Sequence, residues 1–288
     1  MKIIDSICYR INRIFRQRKV ADTFVRVTSL PRSKWLEGRC AIITGGTSGI
    51  GYSIAEAFLN SGCSVIITGR DQARIDKTLS KLNSDNVFGF VMDNANVNSF
   101  GDSIDNILQQ IHYRGIEHID ILVNNAGVNG NTMPYVDELE YDRIVDTNLK
   151  GVFFLSQIFG HYLVTNKIHG NILNIASASS LRPANSPYTV SKWGIRALTL
   201  GLAKALGKYG ITVNGIAPGP TATPMMIKEG QSNMTLDRLP LGRYIMPEEI
   251  ANMAVILVSD MGRSIMGDIV YMTGGAGILT FDDVNYEF

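Results

Sequence analysis

The chain reads as an α/β protein: a doubly wound parallel sheet of seven strands with helices on both faces. Three observations predict it. From Cys40 onward, short β-branched runs alternate with longer helical patterns, the rhythm of successive βαβ units. The short runs are almost continuously apolar, as expected of parallel strands covered on both sides. The turn after the first run is rich in glycine and leads directly into a helical stretch.

In chain order, the strands are Cys40–Thr44, Ser64–Thr68, Val87–Val91, Ile119–Val123, Asn171–Ala176, Ile211–Ile216 and Asp268–Met272. Helical stretches lie between them at about 49–60, 71–82, 96–112, 138–165, 187–208 and 247–258. Parallel strands joined this way require right-handed crossovers, which leaves few topologies. No internal repeat or low-complexity linker divides this core. A chain of 288 residues, 45% hydrophobic, can bury roughly three quarters of its unfolded surface as one domain without a disulfide or structural metal.

The chemistry-bearing residues exclude several classes. Cys8, Cys40 and Cys63 are odd in number and widely spaced, which fits a reducing compartment. The four histidines lack ligand spacing, so no metal site is expected. No apolar run reaches the ~18 residues that span a bilayer. A net charge of +1 does not fit a nucleic-acid binder, but it conceals an uneven distribution. Residues 1–34 hold nine Lys and Arg against Asp5 and Asp22, a balance of +7, which leaves −6 for the rest. Ile3, Ile4, Ile7, Cys8, Ile11, Ile14 and Phe15 share one helical face, with Lys2, Arg10, Arg13 and Arg16 outside it. Such a basic amphipathic extension can dock on its own core, on a partner subunit, or through residues 1–19 on an anionic membrane surface.

The loop Thr44-Gly-Gly-Thr-Ser-Gly-Ile-Gly51 joins the first strand to the first helix. Glycines at 45, 49 and 51 let the backbone turn tightly and approach a pyrophosphate, which the helix N-terminus would receive. Thr47, Ser48 and Ile50 complete the loop. About 20 to 25 residues on, such a fold places the residue that reads the adenosine ribose. Here the strand ends Ile66-Ile-Thr-Gly-Arg70, without a carboxylate and with a cation just past it. Arg70 can pair with a 2′-phosphate, which favours NADP(H) while leaving NAD(H) open.

Four motifs stand in order: the glycine loop, Asn124-Asn-Ala-Gly127, Tyr188-Thr-Val-Ser-Lys192 and Pro218-Gly-Pro-Thr221. With them the chain resembles the classical short-chain dehydrogenase/reductase family over roughly residues 36–275, which implies a Rossmann-type fold. The resemblance implies Tyr188 as general acid/base, Lys192 lowering its pKa, Ser177 orienting a carbonyl and Asn148 completing a water relay. It also places Asn125, Ala126 and Gly127 beside the cofactor, Asp93 and Asn94 at the adenine, and Pro218, Gly219, Thr221 and Thr223 around the nicotinamide. The family is commonly dimeric or tetrameric.

The residues support these roles in their own right. Tyr188 and Lys192 lie i,i+4 on one helical face. An ammonium ~4 Å from the phenol, at an effective dielectric of ~20, contributes about 4 kcal/mol, on the order of three pKa units downward. Ser177 directly follows an apolar run, 11 residues before Tyr188, whereas Ser179 and Ser180 lie further into the loop. Asn148 sits inside a helical stretch, where Asn costs helix propensity. Residues 221–239 form the expected substrate lid, with Met225, Met226 and Met234 as a candidate apolar wall or as simple packing.

The expectation is a basic extension at 1–34 and a single nucleotide-binding domain at 35–288. Its function would be an NADP(H)-preferring oxidoreductase acting on a small-molecule ketone or secondary alcohol. It would be a cytoplasmic homodimer or homotetramer, with membrane contact, if any, through the extension. The alternatives are a non-catalytic cofactor-binding regulator or scaffold of the same fold, and an NAD-linked sugar-modifying enzyme.

Overall fold

The computed structural model describes residues 23–25, 34–228 and 230–277. Seven parallel strands, β1 (Cys40–Thr44), β2 (Ser64–Gly69), β3 (Val87–Val91), β4 (Ile121–Asn124), β5 (Asn171–Ile175), β6 (Thr212–Pro218) and β7 (Ile269–Met272), form one sheet. Its order is β3-β2-β1-β4-β5-β6-β7. The chain winds outward from β1 in one direction and then from β4 in the other. The C-terminal ends of β1 and β4 therefore diverge into a crevice at the point where the order reverses.

Strand alternation sorts the apolar residues into two layers. Ala41, Ile43, Val65, Ile67 and Val123 face α1 (Gly49–Asn60) and the helix Pro247–Val258, where Ile54, Phe58 and Val255 complete a buried cluster. Ile42, Ile66 and Leu122 face the opposite way, onto Phe100, Ile104, Ile107, Phe159 and Leu163. These come from α3 (Phe100–His112) and α5 (Gly151–Thr165). The remaining helices are α2 (Gln72–Leu82), α4 (Glu138–Val145) and α6 (Pro187–Leu206), so Pro247–Val258 is α7.

The helical stretch expected over 138–165 is interrupted: a π-helical turn, Asp146–Lys150, separates α4 from α5. The stretch expected from residue 96 begins with a short 3-10 turn, Val97–Ser99, before α3. A polar clip fastens the other end of the sheet. Asp120, buried, accepts from the Cys40 amide at 2.7 Å and pairs with Arg39, whose Nη2 donates to Asn171 Oδ1 at 2.7 Å. Of the extension, only Thr23–Val25 and Lys34 belong to the described residues; the amphipathic helix and membrane contact expected at 1–19 lie outside them. Among the described residues no helix is long and apolar enough to cross a membrane.

Candidate active site

A cleft of about 990 Å³ follows the crevice along the C-terminal strand ends. One end is walled by segments following β2 and β3, the other by segments following β5 and β6.

At the first end the glycine loop is held by neighbouring backbone and by Asn125. Asn125 Nδ2 donates to the carbonyls of Thr44 (2.9 Å) and Gly45 (3.0 Å), while Thr44 Oγ1 accepts from the amides of Asn125 and Ala126. Gly49, at φ +55°, stands in the left-handed region, and a side chain there would press on Thr223 at the start of the lid. Thr78 of α2 donates to the Thr47 carbonyl. Ser48 caps α1 in an extended conformation without a side-chain hydrogen bond, so the first amides of α1 remain available for an anion. Further along, Arg70 and Arg74 line the cleft, and the intervening Asp71 caps α2 by accepting from the Arg74 amide at 3.0 Å. Asn94 is buried and donates to the Thr147 carbonyl, yet its Oδ1 has no hydrogen-bond partner among the described residues. A glycine-lined cradle, a helix N-terminus and an orphaned buried acceptor together fit a dinucleotide lying across the switch point.

At the second end, Ser177, Tyr188 and Lys192 converge. Ser186 caps α6 by accepting from the Thr189 amide, and Pro187 opens the helix, so Tyr188 enters at the first turn with Lys192 one turn behind it. Ser177 stands one residue past β5 and accepts from the Ser179 amide. Lys192 is buried; its Nζ donates to the Ile175 carbonyl at 2.8 Å and lies 5.6 Å from the centre of the Tyr188 ring. Burial lowers its ammonium to a pKa of about 8. Burial also pushes the Tyr188 phenol above its ordinary value, and a hydrogen bond with Ser177 draws it partly back. The downward shift expected from an adjacent ammonium is thus reversed. Desolvation dominates at both groups, disfavouring the phenolate and the ammonium alike.

Comparison with known proteins places the chain in a family. The family model described as short chain dehydrogenase matches residues 39–233. The chain belongs to the short-chain dehydrogenase/reductase family. It is 34% identical to the (2S)-[(R)-hydroxy(phenyl)methyl]succinyl-CoA dehydrogenase subunit of Thauera aromatica, over 84% of this chain and 98% of that one. It is 33% identical to the 3alpha-hydroxysteroid dehydrogenase of Mediterraneibacter gnavus, over 84% and 98%. Among solved structures, the 3-ketoacyl-(acyl-carrier-protein) reductase of Brucella melitensis complexed with NADH superposes with a TM-score of 0.75 at 28% identity. That match covers 84% of this chain and all of the reductase. The chain is accordingly an oxidoreductase of this family, acting on CH–OH groups.

Most of the expected site residues of this short-chain dehydrogenase face the cleft: Gly45, Thr47, Ser48, Gly49, Ile50, Arg70, Asp93, Asn94, Asn125, Ala126, Gly127, Ser177, Tyr188, Lys192, Pro218, Gly219, Thr221 and Thr223. Gly51 does not. It packs behind the loop, where a Cβ would run into Asn125 Nδ2 and the Gly45 carbonyl. Asn148 also stands back, fully buried in the π turn rather than in an ordinary helix. Its Oδ1 accepts from the Val128 amide and its Nδ2 donates to the Val128 carbonyl, both at 2.8 Å. Through these bonds Asn148 ties the π turn to the loop beside Gly127. Ser180 is buried outside the cleft, donating to the Ser177 carbonyl, while Ser179 lines it. Of the lid methionines, Met225 and Met226 face the cleft and Met234 is buried behind it.

One set of contacts escaped the sequence reading. Asn124 Nδ2 donates to Ser156 Oγ and Asn174 Oδ1, and Asn174 Nδ2 donates to Thr199 Oγ1, each at 2.9 Å. This buried chain ties β4 and β5 to α5 and α6, and so fixes the helix that carries Tyr188.

Proposed function

We propose that the chain is an NADP(H)-preferring oxidoreductase interconverting a small-molecule ketone and its secondary alcohol, with Tyr188 as general acid/base. The observation that carries this reading is the convergence of Ser177, Tyr188 and Lys192 at one end of a cleft whose other end presents Arg70. A bound nicotinamide supplies the two-electron chemistry at the carbonyl carbon. Tyr188, hydrogen-bonded to Ser177, exchanges the proton at the carbonyl oxygen, and its raised pKa keeps that proton in place at neutral pH, the form a reduction uses. Ser177 orients the same oxygen. Lys192, anchored on the Ile175 carbonyl, places positive charge beside the ring, where it stabilises the phenolate as the proton leaves.

Arg70 and Arg74 are suited to a 2′-phosphate, and the capping role of Asp71 keeps its carboxylate on the Arg74 amide. A homo-oligomer is part of the proposal, supported by the exposed apolar side chains Phe153, Phe154, Val190, Trp193 and Leu200 on α5 and α6. So is a cytoplasmic location, supported by two buried free thiols, Cys40 and Cys63.

The test is steady-state kinetics over a ketone panel with NADPH and NADH. Tyr188→Phe is expected to lower kcat by about a thousandfold while cofactor binding persists. Arg70→Ala should weaken NADPH about tenfold and leave NADH nearly unchanged. Undiminished turnover by the phenylalanine variant overturns the proton donor, and a wild-type preference for NADH overturns the Arg70 argument.

A further inference from the structure

We propose that the substrate carries an anionic group, a carboxylate or phosphate, remote from its reacting carbonyl, and that Arg238 on the lid receives it. The inference rests on the oxidoreductase reading and names the substrate class of the same cleft. Among the described residues, the charged side chains lining the segments after β5 and β6 are Arg182 and Lys192 on the first and Arg238 on the second. The carboxylates that line the cleft, Asp71 and Asp93, lie past β2 and β3, where Asp71 caps α2 and Asp93 accepts from the Ala95 amide. Glu140, near the mouth, is engaged by the Asn131 amide and side chain. Arg238 itself makes no ion pair among the described residues. With Lys192 and Arg238 on this wall and no carboxylate among its described lining residues, the substrate end favours an anion. Ser179, Asn185, Met225 and Met226 complete that wall with neutral groups suited to an uncharged body.

The position of Arg238 is built rather than incidental. The Leu236 amide donates to Gly242, the Leu239 amide to Leu236 and the Gly242 amide to Leu239, a closed turn that carries Arg238. On one side this turn is held by Tyr244, whose amide donates to the Met234 carbonyl, and by the bridge of Thr235 to Arg243. On the other it is held by the N-terminal extension. The Thr23 amide donates to Asn233 Oδ1 and Thr235 Oγ1, both at 3.0 Å, and the Thr23 carbonyl accepts from the Met234 amide at 2.9 Å. Thr23 thus pairs with the lid, and it is a positioning residue for Arg238.

The experiment compares matched ketones with NADPH and the full chain: a keto acid against its methyl ester, a ketose phosphate against the free ketose, and a 3-oxoacyl-CoA against its neutral N-acetylcysteamine thioester. In at least one pair the charged member is expected to have about tenfold higher kcat/KM, chiefly through KM, and the pair that responds identifies the source of the anion. Arg238→Gln should collapse that ratio and Arg238→Lys should restore part of it. Thr23→Pro, which removes the donating amide, should raise KM for the charged member more than for the neutral one. Equal turnover within every pair, or a ratio that survives Arg238→Gln, overturns the proposal. An unchanged KM in Thr23→Pro removes the extension from it. If no ketone is reduced although NADPH binds, the oxidoreductase reading itself fails and the proposal falls with it.

Discussion

Where β1 and β4 meet the glycine loop, backbone lies against backbone. A Cβ on Gly45 would stand 2.9 Å from the Ala126 Cα, and Asn125 spends both its amide hydrogens on loop carbonyls. Across the cleft, the lid hangs on discrete ties, among them Thr23, the Tyr244 amide, the Ala222–Ile245 pairing and the Arg243–Glu249 pair at its foot. Met225 and Met226 stand exposed there, and Gly230 has open space around it. The first wall tolerates almost no change of volume, while the second can be rebuilt residue by residue. A rigid cofactor wall opposite a sparsely tied substrate wall is how one scaffold accepts different carbonyl compounds without losing its common redox partner.

Lys192 lies where the two walls meet, and its burial offers the largest measurable asymmetry in stability. Its pKa falls from the ordinary 10.5 to about 8 on folding. Between these values the unfolded chain binds more protons than the folded one, so stability rises with pH across that window, and below it the folded state bears the full cost of the buried charge. From pH 7 to pH 10 the wild type should gain about 2 to 3 kcal/mol relative to Lys192→Met, measured by urea unfolding at each pH. Parallel stability curves would mean that the ammonium is solvated and that the tight region ends before α6.

Two glycines sharpen the contrast. Gly51→Ala places a methyl group against Asn125 Nδ2 and 2.5 Å from the Gly45 carbonyl, and should cost about 2 kcal/mol along with much of the cofactor affinity. Gly230→Ala meets nothing within 4 Å, and its φ of +79° alone should cost about 1 kcal/mol with cofactor binding unchanged. Equal losses in thermal unfolding and cofactor titration would erase the distinction between the walls.

The same contrast governs what the sequence discloses. The cofactor wall is legible because close backbone approach demands glycine at fixed spacing, and the Tyr188–Lys192 pair is legible because one helix sets both positions. All seven strands were visible as apolar runs, with boundaries shifting by a residue or two where hydrogen bonding outlasts or falls short of the apolar run, as at Ile119 and Pro218. The π turn at Asp146–Lys150 was not visible, since nothing in Asp-Thr-Asn-Leu-Lys distinguishes it from a helix; within it Asn148 reaches Val128 across the chain. The upward shift at Tyr188 depends on burial, which spacing does not reveal. The Asn124–Asn174–Thr199 chain and the seat of Thr23 on the lid join residues far apart in sequence, and each looks like an ordinary polar residue until the fold assembles it.

The smallest expected effect lies at the foot of the lid. Arg243 donates to both oxygens of Glu249, at 2.8 and 2.9 Å, and Glu249 also accepts from the Met246 amide at the start of α7. The Arg243 hydrogen bonds hold the Glu249 carboxyl below its ordinary value of 4.5. Its contribution to stability is therefore complete above that value and fades as pH falls through the lowered one. Because the pair is partly open to solvent, Glu249→Ala should cost only about 1 kcal/mol in all, including the lost cap. Its kinetic signature is the more telling measurement: if the lid is a separately tied wall, substrate KM rises while the cofactor Kd stays constant. A cofactor Kd that rises in proportion would show that the lid and the glycine loop, which meet where Thr223 approaches Gly49, yield as one body.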